Sequence, residues 1–137
     1  EHHKRDAFML NHYSSNLSNL FQWATAISLH IHVTNETKEL VNKDLLSLVK
    51  DLYLVNTSRG AVVNEQDVVE ALKNGNLAGY GTDVLADEYT LESSRIVERM
   101  RDNYNVVITP HVGGMTYEGQ HKAYHWSINK LKDVHLW

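Results

Sequence analysis

Three short stretches of the chain carry side chains whose types suit the binding of a small anion. In residues 52–63, LYLVNTSRGAVV, an apolar run passes straight into Asn-Thr-Ser-Arg-Gly before the apolar pattern resumes. Arg59 sits on that turn, and a guanidinium is always charged and can bond a carboxylate through two parallel N–H groups. Residues 77–89 end an apolar run on Asp83, with Asp87 and Glu88 just beyond. Residues 105–114, NVVITPHVGG, set His111 between the only proline, Pro110, and the pair Gly113-Gly114. Imidazole is the one side chain that ordinarily titrates near neutral pH.

These residues act together only if the fold gathers them. The sequence predicts strands over Ala26–Val33, Leu52–Val55, Leu77–Val84 and Asn105–Thr109, each short and apolar. Helical patterns lie between them. Asn42 opens a short helix with Leu45, Leu46 and Val49 on one face. Asn64 caps a helix whose buried stripe is Val68, Val69 and Leu72, with Glu65 and Asp67 at its positive end and Gly75 beyond its last turn. Leu91–Arg101 reads as helical, with Ile96, Val97 and Met100 inward. Residues 117–134 form a last helix with Tyr124, Ile128 and Leu131 at i, i+4 and i+7. Leu17, Leu20, Phe21 and Trp23 suit a short amphipathic helix, whereas Lys4–Ser15 has no assignment. Strands alternating with helices, and lacking polar alternation, predict parallel strands covered on both faces. In such sheets ligands bind beyond the carboxyl ends of the strands. Arg59, the carboxylates and His111 would then share one edge, and an anion bound there would explain an arginine on a strand-ending turn.

Composition narrows the function classes. The chain has 137 residues, 42% hydrophobic and 22% charged, enough for one domain with a core. Its net charge is -4, without a basic cluster, which argues against nucleic-acid binding. No apolar run nears the ~20 residues of a membrane span, and the first residues lack a signal-peptide core. There is no cysteine, so thiolate metal sites and disulfides are excluded and a reducing cytoplasm is the expected location.

The segment NTSRGAVVNEQDVVEALKNGNLAGYGTDVLADE, followed by NVVITPHVGG, resembles the D-isomer-specific 2-hydroxyacid dehydrogenases. It is similar to the second half of their NAD-binding domain, and SLHIHVTNETKELVN resembles the segment before it. The likeness covers roughly residues 17–134. The form Gly-Gly-Met-Thr-Tyr-Glu-Gly-Gln is closest to phosphoglycerate-dehydrogenase-like members. The resemblance implies an NAD-dependent oxidoreductase, with NADP left open, that moves a hydride between nicotinamide and a 2-hydroxy or 2-keto acid such as 3-phosphoglycerate. Arg59 would hold the acid's carboxylate and keto oxygen. His111 would exchange a proton with the substrate oxygen, and Glu88 would orient His111 and favour its charged form. Thr57, Ser58, Arg59, Asp83, His111, Gly113 and Gly114 would line the cofactor.

The chain departs from that pattern in two ways. The family's catalytic acid lies in a stretch ending Glu-Pro, but here Ala86-Asp87-Glu88-Tyr89 has no proline, so Asp87 remains an alternative to Glu88. The G-x-G-x-x-G turn that holds a pyrophosphate at a helix N-terminus is absent from the sequence. Gly79-Tyr80-Gly81 does not replace it, lacking the third glycine and lying inside a strand. The expected architecture is therefore an incomplete Rossmann-like sheet of about four parallel strands. Residues 1–137 would be a partial NAD-binding domain, without the phosphate-loop half and the substrate domain. A non-catalytic fragment or assembly module is the alternative function.

Outside that motif, Arg59 would read as a surface arginine and His111 as a turn residue. His30 and His32 share a strand face, but no third ligand is evident and no metal site is predicted. His121 and His125 have the i, i+4 spacing that suits a metal pair. They lack the glutamate of a zinc protease and read as a solvated helix face. His2 and His3 carry no assignment. Tyr124, Trp126 and Trp137 could pack in a core or against another chain, and a homo-oligomer, a dimer, is the expected assembly.

Overall fold

The computed structural model describes residues 14–89, 96–98, 102 and 104–133. Its elements run α1 (Leu17–Trp23), β1 (Ala26–Leu29), α2 (Lys43–Leu46), β2 (Leu52–Asn56), a 3-10 turn (Gly60–Val62), α3 (Glu65–Lys73), β3 (Leu77–Thr82), β4 (Val106–Ile108) and α4 (Tyr117–Asp133). The strands form one sheet in the order β1-β2-β3-β4, and every neighbouring pair is parallel. No helix among the described residues is long and apolar enough to cross a membrane.

Register carries the functional consequence. Leu29 pairs with Asn56, Asn56 with Thr82, and Thr82 with Ile108. The four strands therefore end in one row. Whatever follows each strand emerges on one edge, so the Thr57–Gly60 turn, the Asp83–Glu88 loop and the Thr109–Gly114 turn are neighbours.

Helices α1, α2 and α3 each start on an asparagine whose side chain accepts an otherwise unpaired N–H. Asn16 caps α1 through the Asn19 N–H, Asn42 caps α2 through that of Asp44, and Asn64 caps α3 through that of Asp67. Asp67 also accepts the Lys43 N–H at 2.8 Å, which ties α3 to α2. Gly75, at φ +75°, ends α3 in the left-handed conformation that favours glycine. The core lies between the sheet and these helices. Leu52 and Leu54 of β2, Val68, Val69 and Leu72 of α3, Leu45 and Leu46 of α2 and Phe21 of α1 are all buried.

Some expectations need correction. β1 stops at Leu29, not Val33, because β2 turns away after Asn56 and leaves residues 30–33 without a strand to pair with. His30 and His32 therefore do not share a strand face. β3 stops at Thr82 and β4 spans only Val106–Ile108. The sheet is also not covered on both faces among the described residues: β2 alternates, and Tyr53, Val55 and Val107 are exposed on the face away from α3. On α4, Tyr124, Trp126, Ile128 and Leu131 are all at least half exposed. Of the helix expected over residues 91–101, Ile96 is buried within a helical stretch and Val97 packs on the core. Met100, Trp137, His2 and His3 lie outside the described residues.

Gly60 joins the two central loops. A Cβ on it would lie 2.0 Å from the Leu85 carbonyl carbon and 2.4 Å from the Ala86 nitrogen. Both atoms are backbone and cannot swing aside. We expect Gly60→Ala to cost more than about 3 kcal/mol, the upper range of overpacking. Gly75→Ala meets open space and should cost about 1–2 kcal/mol, for its backbone conformation alone. Urea denaturation of the two variants measures the difference, and equal losses would contradict this packing.

Candidate active site

The turn after β2 is built around Asn56. Its side chain is fully buried, so its amide must find partners inside the fold. The Oδ1 accepts from the Ser58 N–H at 3.1 Å and the Ser58 hydroxyl at 2.8 Å, while Nδ2 donates to the Arg59 carbonyl at 2.9 Å. Two residues of the turn are thereby fixed by three hydrogen bonds to one side chain. The Arg59 backbone is held, and its side chain is exposed, with Nη1 donating to the Ser58 carbonyl at 2.6 Å.

The second anchor is Asp83. Its Oδ1 accepts from the Thr109 hydroxyl and from the Val112 N–H at 3.0 Å, and its Oδ2 accepts from the Gly113 N–H at 2.8 Å. This carboxylate clasps the end of β3 to the loop after β4. Burial alone would raise its pKa. The Thr109 hydroxyl, the Gly113 and Val112 N–H groups and the nearby His111 outweigh that and hold it below the usual carboxylate value. Gly113 is needed for the approach, since a Cβ there would stand 2.9 Å from Asp83 Oδ2.

Folding the loop around Asp83 places His111 at φ +53°, a left-handed conformation that costs a non-glycine residue free energy. Its Nδ1 then lies 2.9 Å from Glu88 Oε2. The carboxylate that meets His111 is thus that of Glu88. Asp87 Oδ1 accepts from the Tyr89 N–H at 3.0 Å. The loop bearing Glu88 is braced by Glu65 at the start of α3, whose Oε1 accepts the Ala86 N–H at 2.7 Å. Burial pushes the Glu65 carboxyl up, the Ala86 N–H lowers it, and the charge of Asp87 adds to the rise.

Asp83, Glu88 and His111 line one cleft of about 360 Å³, walled by Leu85, Val97, Ile108 and Pro110. Arg59, Thr57 and Ser58 belong to the neighbouring turn and are not among its lining residues. Gly114 stands in open space. Among the described residues no group of three His, Asp or Glu side chains could hold a metal. His30 bonds to Ser28 Oγ at 2.8 Å. Sequence reasoning missed Asn56, Thr109, Gly60 and the bracing role of Glu65. Each works through a partner at least 21 residues away or through a buried turn, and residue type alone does not show that. Only the adjacency of Asn56 to the Thr-Ser-Arg-Gly turn was a usable signal.

The depressed Asp83 carboxyl has a testable sign. Its contribution is fully present above the ordinary carboxylate pKa and fades as pH falls through the lower folded value. We expect Asp83→Asn to be less stable than the parent at pH 7, with the gap narrowing below about pH 4. Urea midpoints across that range measure it, and a gap independent of pH would contradict the assignment.

Residues 1–113 match the D-isomer specific 2-hydroxyacid dehydrogenase, NAD binding domain, family. Among curated proteins, a D-3-phosphoglycerate dehydrogenase of Synechocystis is 36% identical over 118 residues, covering 85% of this chain and 20% of that protein. A glyoxylate reductase of Thermococcus litoralis is 40% identical over 97 residues, covering 69% of this chain and 27% of the relative. Among solved structures, the NAD-complexed D-isomer specific 2-hydroxyacid dehydrogenase of Lactobacillus delbrueckii ssp. bulgaricus superposes with a TM-score of 0.73 at 25% identity, over 85% of this chain and 38% of that one. The chain thus spans well under half the length of these relatives. The matched domain is one that binds NAD, and its parallel sheet is of the Rossmann type. The chain belongs to the D-isomer specific 2-hydroxyacid dehydrogenase NAD-binding domain family.

Proposed function

We propose that this chain carries the acid–base end of an NAD-dependent D-2-hydroxyacid dehydrogenase site. The observation that supports this most is the 2.9 Å contact between His111 Nδ1 and Glu88 in a largely apolar cleft. With Nδ1 engaged, Nε2 is the nitrogen left to meet a substrate. His111 would take the proton of the 2-hydroxyl group as C2 gives up its hydride, and return it in the reverse direction. Glu88 would orient the ring. NAD, when bound, supplies the hydride acceptor. Arg59 would pair with the carboxylate of the acid, which requires its exposed guanidinium to turn from the Ser58 carbonyl toward the cleft.

The residues present fit the nicotinamide end of the cofactor. Gly113 and Gly114 carry no side chain where it would approach, and Asp83, Thr57 and Ser58 would face it. The pyrophosphate end has no G-x-G-x-x-G turn in this sequence. The chain then corresponds to the second half of the cofactor domain, and the rest of the site would come from elsewhere. The substrate is a small 2-hydroxy or 2-keto acid, with 3-phosphoglycerate a candidate through the Synechocystis relative. The exposed apolar residues of α4 suit self-association into a dimer.

A second reading, a non-catalytic assembly module, draws on the position of Arg59 outside the cleft lining and on the missing phosphate turn. Calorimetric titration with NADH, then a 2-keto acid in the same cell, separates the two. We expect NADH binding that is far weaker than in an intact relative, with slow NADH consumption that His111→Ala abolishes. Folded chain giving neither heat nor turnover would favour the module, and tight NADH binding would refute the role given to the missing turn.

A further inference from the structure

We propose that His121 and His125 form a two-imidazole chelate for a divalent transition-metal ion on the exposed face of α4. They lie four residues apart in a helix of 17 residues, a spacing that stacks side chains one turn above another. Their ring centroids are 4.4 Å apart and tilted by 40°. Rotation about their exposed side-chain bonds would have to aim one nitrogen of each ring at a common ion, at the ~2.1 Å of zinc–imidazole bonding. Tyr117, one turn earlier, stacks on His121 with centroids 5.8 Å apart and rings 28° from coplanar. That contact steadies one ring beside the other and lowers the entropy cost of chelation.

The donor set defines the ion. Two neutral imidazoles favour borderline metals, in the order that rises to copper and includes zinc, nickel and cobalt. Magnesium and calcium prefer oxygen and are not held. No third His, Asp or Glu completes the set among the described residues, so water fills the remaining positions. The site shares no residue with the cleft at His111 and is independent of the reading given to that residue.

Zinc titration of the full chain, followed by NMR of the histidine rings, tests this. His2 and His3 are replaced by alanine to remove a competing terminal pair. The rings of His121 and His125 should shift together, with one affinity and one equivalent of zinc, and magnesium should shift neither. His125→Ala should weaken zinc binding at His121 by roughly tenfold or more, the loss of a chelating ligand. Adding Lys122→His to that variant keeps the histidine count at the wrong spacing and should not restore affinity, while far-UV circular dichroism shows that α4 is intact. Independent titration of the two rings, or an unchanged affinity at His121 in His125→Ala, would overturn the proposal.

Discussion

The carboxylate of Asp83 is the interaction on which the rest of the site depends. It takes three hydrogen bonds from residues 26 to 30 positions later, all from the turn that follows β4. The Thr109 N–H donates to the Thr82 carbonyl at 2.9 Å, and Asp83 carries the clasp on from there to Val112 and Gly113. Charged acceptors make stronger hydrogen bonds than neutral ones, so one buried carboxylate can offset the left-handed backbone at His111. The strain and the anchor belong together: His111 faces Glu88 because the next two N–H groups are pulled onto Asp83.

Around that clasp the fold is a device for alignment. Four parallel strands ending in one row bring three loops to one edge, and each loop has its own brace. Asn56 shapes the turn bearing Arg59, Glu65 holds the loop bearing Glu88, and Asp83 holds the turn bearing His111. Gly60 lets the first two loops touch backbone to backbone. Such bracing limits the freedom of polar side chains that would otherwise be costly to order. The third group, Arg59, is fixed at its backbone, and its exposed guanidinium rests on the Ser58 carbonyl.

Much of this was legible in the residues. The alternation of short apolar runs with helical stripes gives a parallel sheet, because neither element can bury its face alone. Asn64 and Gly75 marked the ends of α3 because capping and left-handed φ are local properties, decided within four residues. The position of the chemical groups followed from the rule that parallel strands deliver their loops to one edge. What the sequence hid was long-range or negative. The early end of β1 depends on where β2 turns, and the exposed face bearing Tyr53 and Val107 depends on what packs there. An apolar run does not say which of its faces is covered. Glu88 keeps the expected spacing from Asp83, but with no proline after it Asp87 stayed an alternative, and the path of the loop is what sets Glu88 against His111.

The proposed acid–base role requires Glu88 to fix the imidazole so that Nε2 is left to handle a proton. The direct measurement is the nitrogen-15 spectrum of the His111 ring in its neutral form, which reports which nitrogen carries the proton. Hydrogen on Nδ1, donated to Glu88, is the predicted tautomer, and Glu88→Ala should shift the population toward Nε2–H. A ring already protonated mainly on Nε2, and indifferent to Glu88→Ala, would contradict the assignment of this pair as the acid–base centre.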